Sequence, residues 1–163
     1  MIRKIVCFVV IGLILSTASV MADQNDFFHT FKPGDAMIST ATVRAARSDR
    51  EKAAIASAEK WLIIVDKGKY MESWNESSEY FKQAVQQDQW EQAVKAVREP
   101  LGKLISRKVK SATYTTSLPG APDGHYVVIQ FNTSFENKKS GIETVTPKMD
   151  KGGMWRVSGY YIK

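Results

Sequence analysis

The chain has 163 residues, one cysteine, 25% charged residues and a formal net charge of +6. That length suits one domain around a single core. One cysteine excludes a disulfide framework, and the modest basic excess speaks against a nucleic-acid partner.

The first residues read as a secretory leader. Arg3 and Lys4 form a charged start, residues 5–15 an apolar run interrupted only by Gly12, and Val20-Met21-Ala22 a cleavage site of small residues before Asp23. The run is shorter than the ~20 residues a membrane span needs, so cleavage is expected and no transmembrane segment is expected afterwards. Cys7 leaves with residues 1–22, and so do two of the 23 basic and none of the 17 acidic residues, which puts the mature net charge at +4. An exported chain, periplasmic or secreted, is expected to have neither disulfide nor thiol chemistry.

Residues 23–47 read as a linker, partly helical, with a turn at Lys32-Pro33-Gly34-Asp35. A single α+β domain is expected over 48–163. Ser48-Asp49-Arg50-Glu51 has the form of a capping box. Ala54, Ile55, Ala58, Trp61, Leu62 and Val65 then recur at helical spacing, and Gly68 supplies the stop. Short helical turns are expected at 70–74 and 79–85. A further helix starts at Asp88, carries Trp90, Ala93, Val94 and Val97 on its buried stripe, and ends at Glu99-Pro100.

Strand signals follow at 103–118, 125–136, 142–149 and 154–162, separated by turn-rich segments. The expected fold class is α+β: N-terminal helices packed on a C-terminal four-stranded antiparallel meander with a cone-like form. Alternation puts Val127, Ile129, Phe131, Thr133 and Phe135 on one face, with Trp155, Val157 and Tyr161 beside them toward the helices. Tyr126, Val128, Tyr160 and Ile162 fall on the opposite face. Such a face needs cover, either from a second copy in a back-to-back homodimer or from the segment holding Phe27, Phe28 and Phe31.

Several short stretches carry a family resemblance. They include Trp61-Leu62, Val65-Asp66, Gly68, Tyr70, Ser73-Trp74, Arg98-Glu99-Pro100-Leu101-Gly102, the 118–124 turn, Tyr126-Val127-Val128, Glu143-Thr144-Val145 and the 155–161 stretch. From 58 to 163 the chain resembles the domain-of-unknown-function 4019 family of small exported bacterial proteins. That family has no established activity, so the resemblance implies no catalytic residue. Its plan is similar to the nuclear-transport-factor-2-like and SnoaL-like cone folds, which host enzymes and binders alike.

Candidate chemistry is sparse. His29 and His125 have no further ligands at metal spacing, so no metal and no cofactor are expected. Ser57-Ala58-Glu59-Lys60 has Ser-x-x-Lys spacing without its companion motifs. Asp66 lies in the last turn of its helix, where the dipole disfavours a negative charge. It is read either as a turn cap bonded near Gly68, Tyr70 or Trp74, or as a pocket carboxylate with a raised pKa. Glu143 is expected at an edge or in an ion pair with Arg107 or Arg156. Trp61, Asp66, Tyr70, Trp74, Trp155 and Tyr161 are the candidate pocket residues. The expected function is an exported binding or interaction module for an unknown ligand or envelope protein. The alternative is a small lyase, isomerase or hydrolase using Asp66 and a tyrosine.

Overall fold

The structure, a computed structural model, describes residues 40–163. The leader, His29, the 32–35 turn and the three phenylalanines lie outside the described residues. Among the described residues no helix is long and apolar enough to cross a membrane.

Helix α1 (Thr40–Asp66) runs through the expected cap, and Ser48 lies inside it. Ala41, Ala45 and Ala46 are strong helix formers that carry the helix through. Glu51 does not reach back to Ser48; it pairs with Arg47 at 3.3 Å and accepts the Tyr114 backbone N–H at 3.0 Å. Ala54, Ala58, Trp61, Leu62 and Val65 are its buried residues. Gly68, at φ 71°, ends it by donating its N–H to the Val65 carbonyl.

Helices α2 (Tyr70–Asn75) and α3 (Glu79–Ala84) are short, six residues each. Ser78 caps α3, its Oγ accepting the Phe81 N–H, and its own N–H donates to the Val157 carbonyl at 2.8 Å. One residue therefore both starts a helix and ties it to the sheet. Helix α4 (Gln87–Arg98) begins slightly earlier than expected: the Gln89 amide oxygen accepts the Gln86 N–H, and Asp88 sits in the first turn. Its buried stripe is Trp90, Val94 and Arg98, an i, i+4, i+8 row. Val97, expected on that stripe, is 41% exposed instead.

After a 3-10 turn (Glu99–Leu101), Gly102 adopts φ 73° against the β-hairpin turn at Glu136. A Cβ there would meet Glu136 Oε2 at 2.7 Å and Glu136 Cβ at 3.0 Å. Gly102→Ala combines a strained backbone with that clash and is expected to cost about 1–3 kcal/mol, read from the urea midpoint at unchanged m-value.

The sheet is an antiparallel meander in the order β1 (Leu104–Thr115), β2 (Tyr126–Phe135), β3 (Lys138–Met149) and β4 (Trp155–Ile162). Val127, Ile129, Phe131, Thr133 and Phe135 are buried, as alternation requires for the face toward the helices. In β4 the alternation breaks. Pro147 pairs with Val157 and Val145 with Tyr160, so three steps of β4 match two of β3. This bulge reverses the side-chain parity downstream. Tyr160 consequently turns toward the helices and packs against Trp61 and Trp90, with ring centroids 5.3 and 6.2 Å away. Tyr161, expected inside, is 47% exposed on the outer face.

The outer face changes accordingly. Tyr126 is buried, its hydroxyl donating to the Pro122 carbonyl at 2.6 Å, so the chain's own 118–124 turn covers it. With Tyr160 turned inward as well, two of the four apolar groups that motivated a back-to-back dimer are absent from that surface.

Candidate functional site

Asp66 ends α1, Arg98 ends α4, Arg107 lies in β1 and Glu143 in β3. The register brings the last two together: Arg107 pairs with Thr133, and Phe131 pairs with Glu143, so all four point to the helix side. Arg107 Nη1 donates to Asp66 Oδ2 at 2.6 Å, and Nη2 to Oδ1 at 3.0 Å. Its Nε donates to Glu143 Oε2 at 2.6 Å, and Nη2 to Oε1 at 3.2 Å. One guanidinium thus forks onto two carboxylates, a geometry a lysine lacks.

Arg98 Nη2 donates to Asp66 Oδ1 at 2.6 Å, its Nη1 lies 3.7 Å from Glu143 Oε1, and its guanidinium carbon lies over the Phe135 ring, 4.4 Å from the centroid. Thr133 Oγ1 and the Tyr160 hydroxyl donate to Glu143 at 2.8 and 2.6 Å. Two cations and two anions form a neutral cluster in the core. At the α1 terminus the guanidiniums offset the unfavourable meeting of Asp66 with the helix dipole, and Arg98 is favourably placed at the end of α4.

Glu143 is fully buried, and burial by itself would raise its pKa; the Arg107 hydrogen bond and charge, with the Tyr160 and Thr133 hydroxyls, outweigh burial and hold it below the ordinary value. Tyr160 is pushed well above the usual phenol value by burial and then by the Glu143 charge. A depressed carboxylate contributes stability that is present above its unfolded pKa of about 4.3 and lost as pH falls through the lower folded value. The urea midpoint is therefore expected to hold from neutrality to about pH 5 and to fall steeply below about pH 4. Glu143→Gln is expected to flatten that limb.

A groove of about 570 Å³ lies elsewhere, along the solvent side of α1. One wall is an α1 stripe of Ala53, Ala56, Ser57, Lys60 and Ile64, and the other is the start of β4 with Met154, Trp155 and Arg156. Ser57 Oγ donates to the Trp155 carbonyl at 2.6 Å and joins the walls. The β3–β4 turn is held by Asp150, whose carboxylate accepts the Met154 and Gly152 N–H groups and pairs with Arg156. The Met154 N–H bond is the main reason its pKa lies below the usual range. Glu72 and Glu76 also line it.

The expected pocket residues separate. Trp155 lines the groove, and Trp61 reaches it while donating its Nε1–H to the Ser73 carbonyl at 2.7 Å. Asp66 belongs to the ion cluster and is bonded to neither the Gly68 turn, Tyr70 nor Trp74. Tyr70 is buried close enough to feel the charges of Arg98, Glu99 and Asp66. Trp74 donates to the Val85 carbonyl at 2.7 Å, under Lys82. Tyr161 is on the outer face. Glu143 does pair with Arg107, whereas Arg156 pairs with Asp150 and Glu76. Arg98, Thr133 and Tyr160 were missed as partners. The α4 spacing from Trp90 through Val94 carried the signal for Arg98, and nothing local carried one for Tyr160. Among the described residues no three His, Asp, Glu or Cys groups converge to hold a metal.

Comparison with known proteins adds a family. The model of the family described as protein of unknown function (DUF4019) matches residues 57–160, and the chain belongs to that family. No curated protein and no solved structure matches the chain.

Proposed function

We propose that the protein is a small exported binding module, with the α1–β4 groove as its binding surface and the ion cluster as a structural post. The observation that carries this reading is how the polar groups are distributed. A general base or acid needs a lone pair or proton free for substrate. In the cluster Glu143 accepts four hydrogen bonds from guanidinium and hydroxyl donors, Asp66 accepts three from two guanidiniums, and the Tyr160 O–H donates to Glu143. The groove offers the opposite: half-buried Trp155 beside exposed Met154, and a volume within the roughly 300–1,000 Å³ typical of small-ligand clefts.

Export follows from the leader-like start of the sequence. Intact-mass measurement of the envelope fraction is expected to give a chain beginning at Asp23, whereas a full-length cytoplasmic chain would remove the compartment from the proposal. Native mass spectrometry of the chain purified from its own envelope tests the groove. A small-molecule adduct is expected, and Ala56→Trp, which fills the groove from an exposed position, is expected to abolish it. An adduct kept by Ala56→Trp, or none on either chain, contradicts the reading.

A further inference from the structure

The four strands carry a single acidic residue, Glu143, and it is buried on the helix side. Basic residues collect instead at one end of the sheet. Lys103 precedes edge strand β1, Lys108 and Lys110 lie in it, and Lys138 and Lys139 open β3. The register makes these neighbours, because Phe135 pairs with both Leu104 and Lys138. Among the described residues none of these ammonium groups has an ion pair. Glu136, in the β2–β3 turn, accepts the Lys103 backbone N–H at 2.7 Å, and Glu99 pairs with Lys95 at 3.7 Å. Five lysines against Glu136 leave this end of the sheet strongly positive.

Two bulges shape the edge. Leu104 pairs with Phe135 and Ser106 with Ser134, then Val109 with Phe131 and Ser111 with Gln130, so Ile105 and Lys110 are each an extra residue pushed out of the ladder. Ile105 is 61% exposed and Val109 42%. Lysines and bulges are the usual protection of an edge strand against pairing with another chain. That protection needs neither an isoleucine held out in water nor lysines on β3, which is not an edge.

We infer that this end of the sheet docks on the surface of a bilayer containing anionic phospholipid. The lysines meet the phosphates and the negative surface potential. Ile105 and Val109 enter the boundary between head groups and acyl chains, and the lysine stems lie along it with their ammonium groups outward. A soluble anionic polymer would satisfy the lysines alone, whereas the exposed apolar pair fits a bilayer. The groove stays open in this orientation, since β4 lies three strands from β1, about 14 Å at the usual strand spacing.

Sedimentation with vesicles of one part phosphatidylglycerol to two parts phosphatidylcholine tests this on the mature chain from Asp23, because the apolar run before it would itself enter a bilayer. Saturable binding is expected, with little to pure phosphatidylcholine vesicles. Lys108→Gln/Lys110→Gln/Lys139→Gln is expected to weaken it about a hundredfold, at about fivefold per lysine. The same charge change made elsewhere, Lys52→Gln/Lys60→Gln/Lys151→Gln, is expected to weaken it by no more than about threefold, because charges beyond a screening length of about 8–10 Å contribute little. Ile105→Ser is expected to weaken it about tenfold. All the substituted side chains are exposed, and amide NMR confirms that each chain is folded. Equal binding to both kinds of vesicle, equal losses for the two triple variants, or no binding overturns the inference. Loss with the sheet lysines but none with Ile105→Ser makes the partner a soluble anionic polymer and overturns the bilayer.

Discussion

Arg107→Met is expected to destabilise the chain by about 3–5 kcal/mol, the usual cost of removing one partner from a buried ion pair. Glu143 would keep only two hydroxyl donors and a guanidinium contact at 3.7 Å, in a position with no solvent exposure. Asp66 would keep Arg98. The loss is therefore mainly the desolvation of an under-compensated Glu143, and Arg107→Met/Glu143→Leu is expected to recover a large part of it. Arg107→Lys is expected to recover less, because an ammonium cannot fork onto two carboxylates. Urea melts at neutral pH measure all three, and a loss under about 1 kcal/mol for Arg107→Met would place the cluster in a high-dielectric, surface-like setting.

Trp61→Ala is expected to cost about 3–5 kcal/mol as a large-to-small aromatic change in a packed core. Trp61 is 3% exposed, with Trp90 at 5.8 Å and Tyr160 at 5.3 Å between ring centroids. Its indole N–H also bonds the Ser73 carbonyl and the Ser77 hydroxyl, fixing α2 against α1. Trp61→Phe keeps most of the packing and is expected to lose about 1–2 kcal/mol, the hydrogen-bond share with its unsatisfied partner. Trp155, by contrast, is only half-buried at the groove, so Trp155→Ala is expected to cost less than Trp61→Ala.

The order of helices and strands was legible because apolar spacing switches from helical to alternating near residue 103, and because Gly68 and Pro100 punctuate it. The inner face of β2 was legible for the same reason: period two runs unbroken from Val127 to Phe135. What escaped depended on pairing between distant segments. The bulge opposite Pro147 exchanges Tyr160 and Tyr161, and no local pattern in β4 announces it. The Ser48 capping box failed because its Glu51 bonds Arg47 and the Tyr114 backbone, a strand edge 63 residues away. Asp66 stands out in the sequence by its awkward place at a helix terminus, but the turn-cap bonds expected there are replaced by two guanidiniums. Its partners were not foreseen, since arginines at the end of α4 and in β1 reach it only after the sheet folds under the helices. Ser57 and Lys60 stood out by spacing, and their shared groove exists only once β4 lies alongside α1.

The central claim, that the cluster holds the fold and the groove binds, is tested most directly by separating the two. In one chain the cluster is replaced by apolar residues: Asp66→Leu, Arg98→Met, Arg107→Met, Thr133→Val, Glu143→Leu and Tyr160→Phe. Replacing a whole buried ionic group in this way is often neutral or stabilising. Native mass spectrometry of this chain, expressed and exported in the same cells and confirmed folded by amide NMR, is expected to show the same small-molecule adduct as the parent. A folded chain that has lost the adduct would contradict the account and return Asp66, Glu143 and Tyr160 to the site of function.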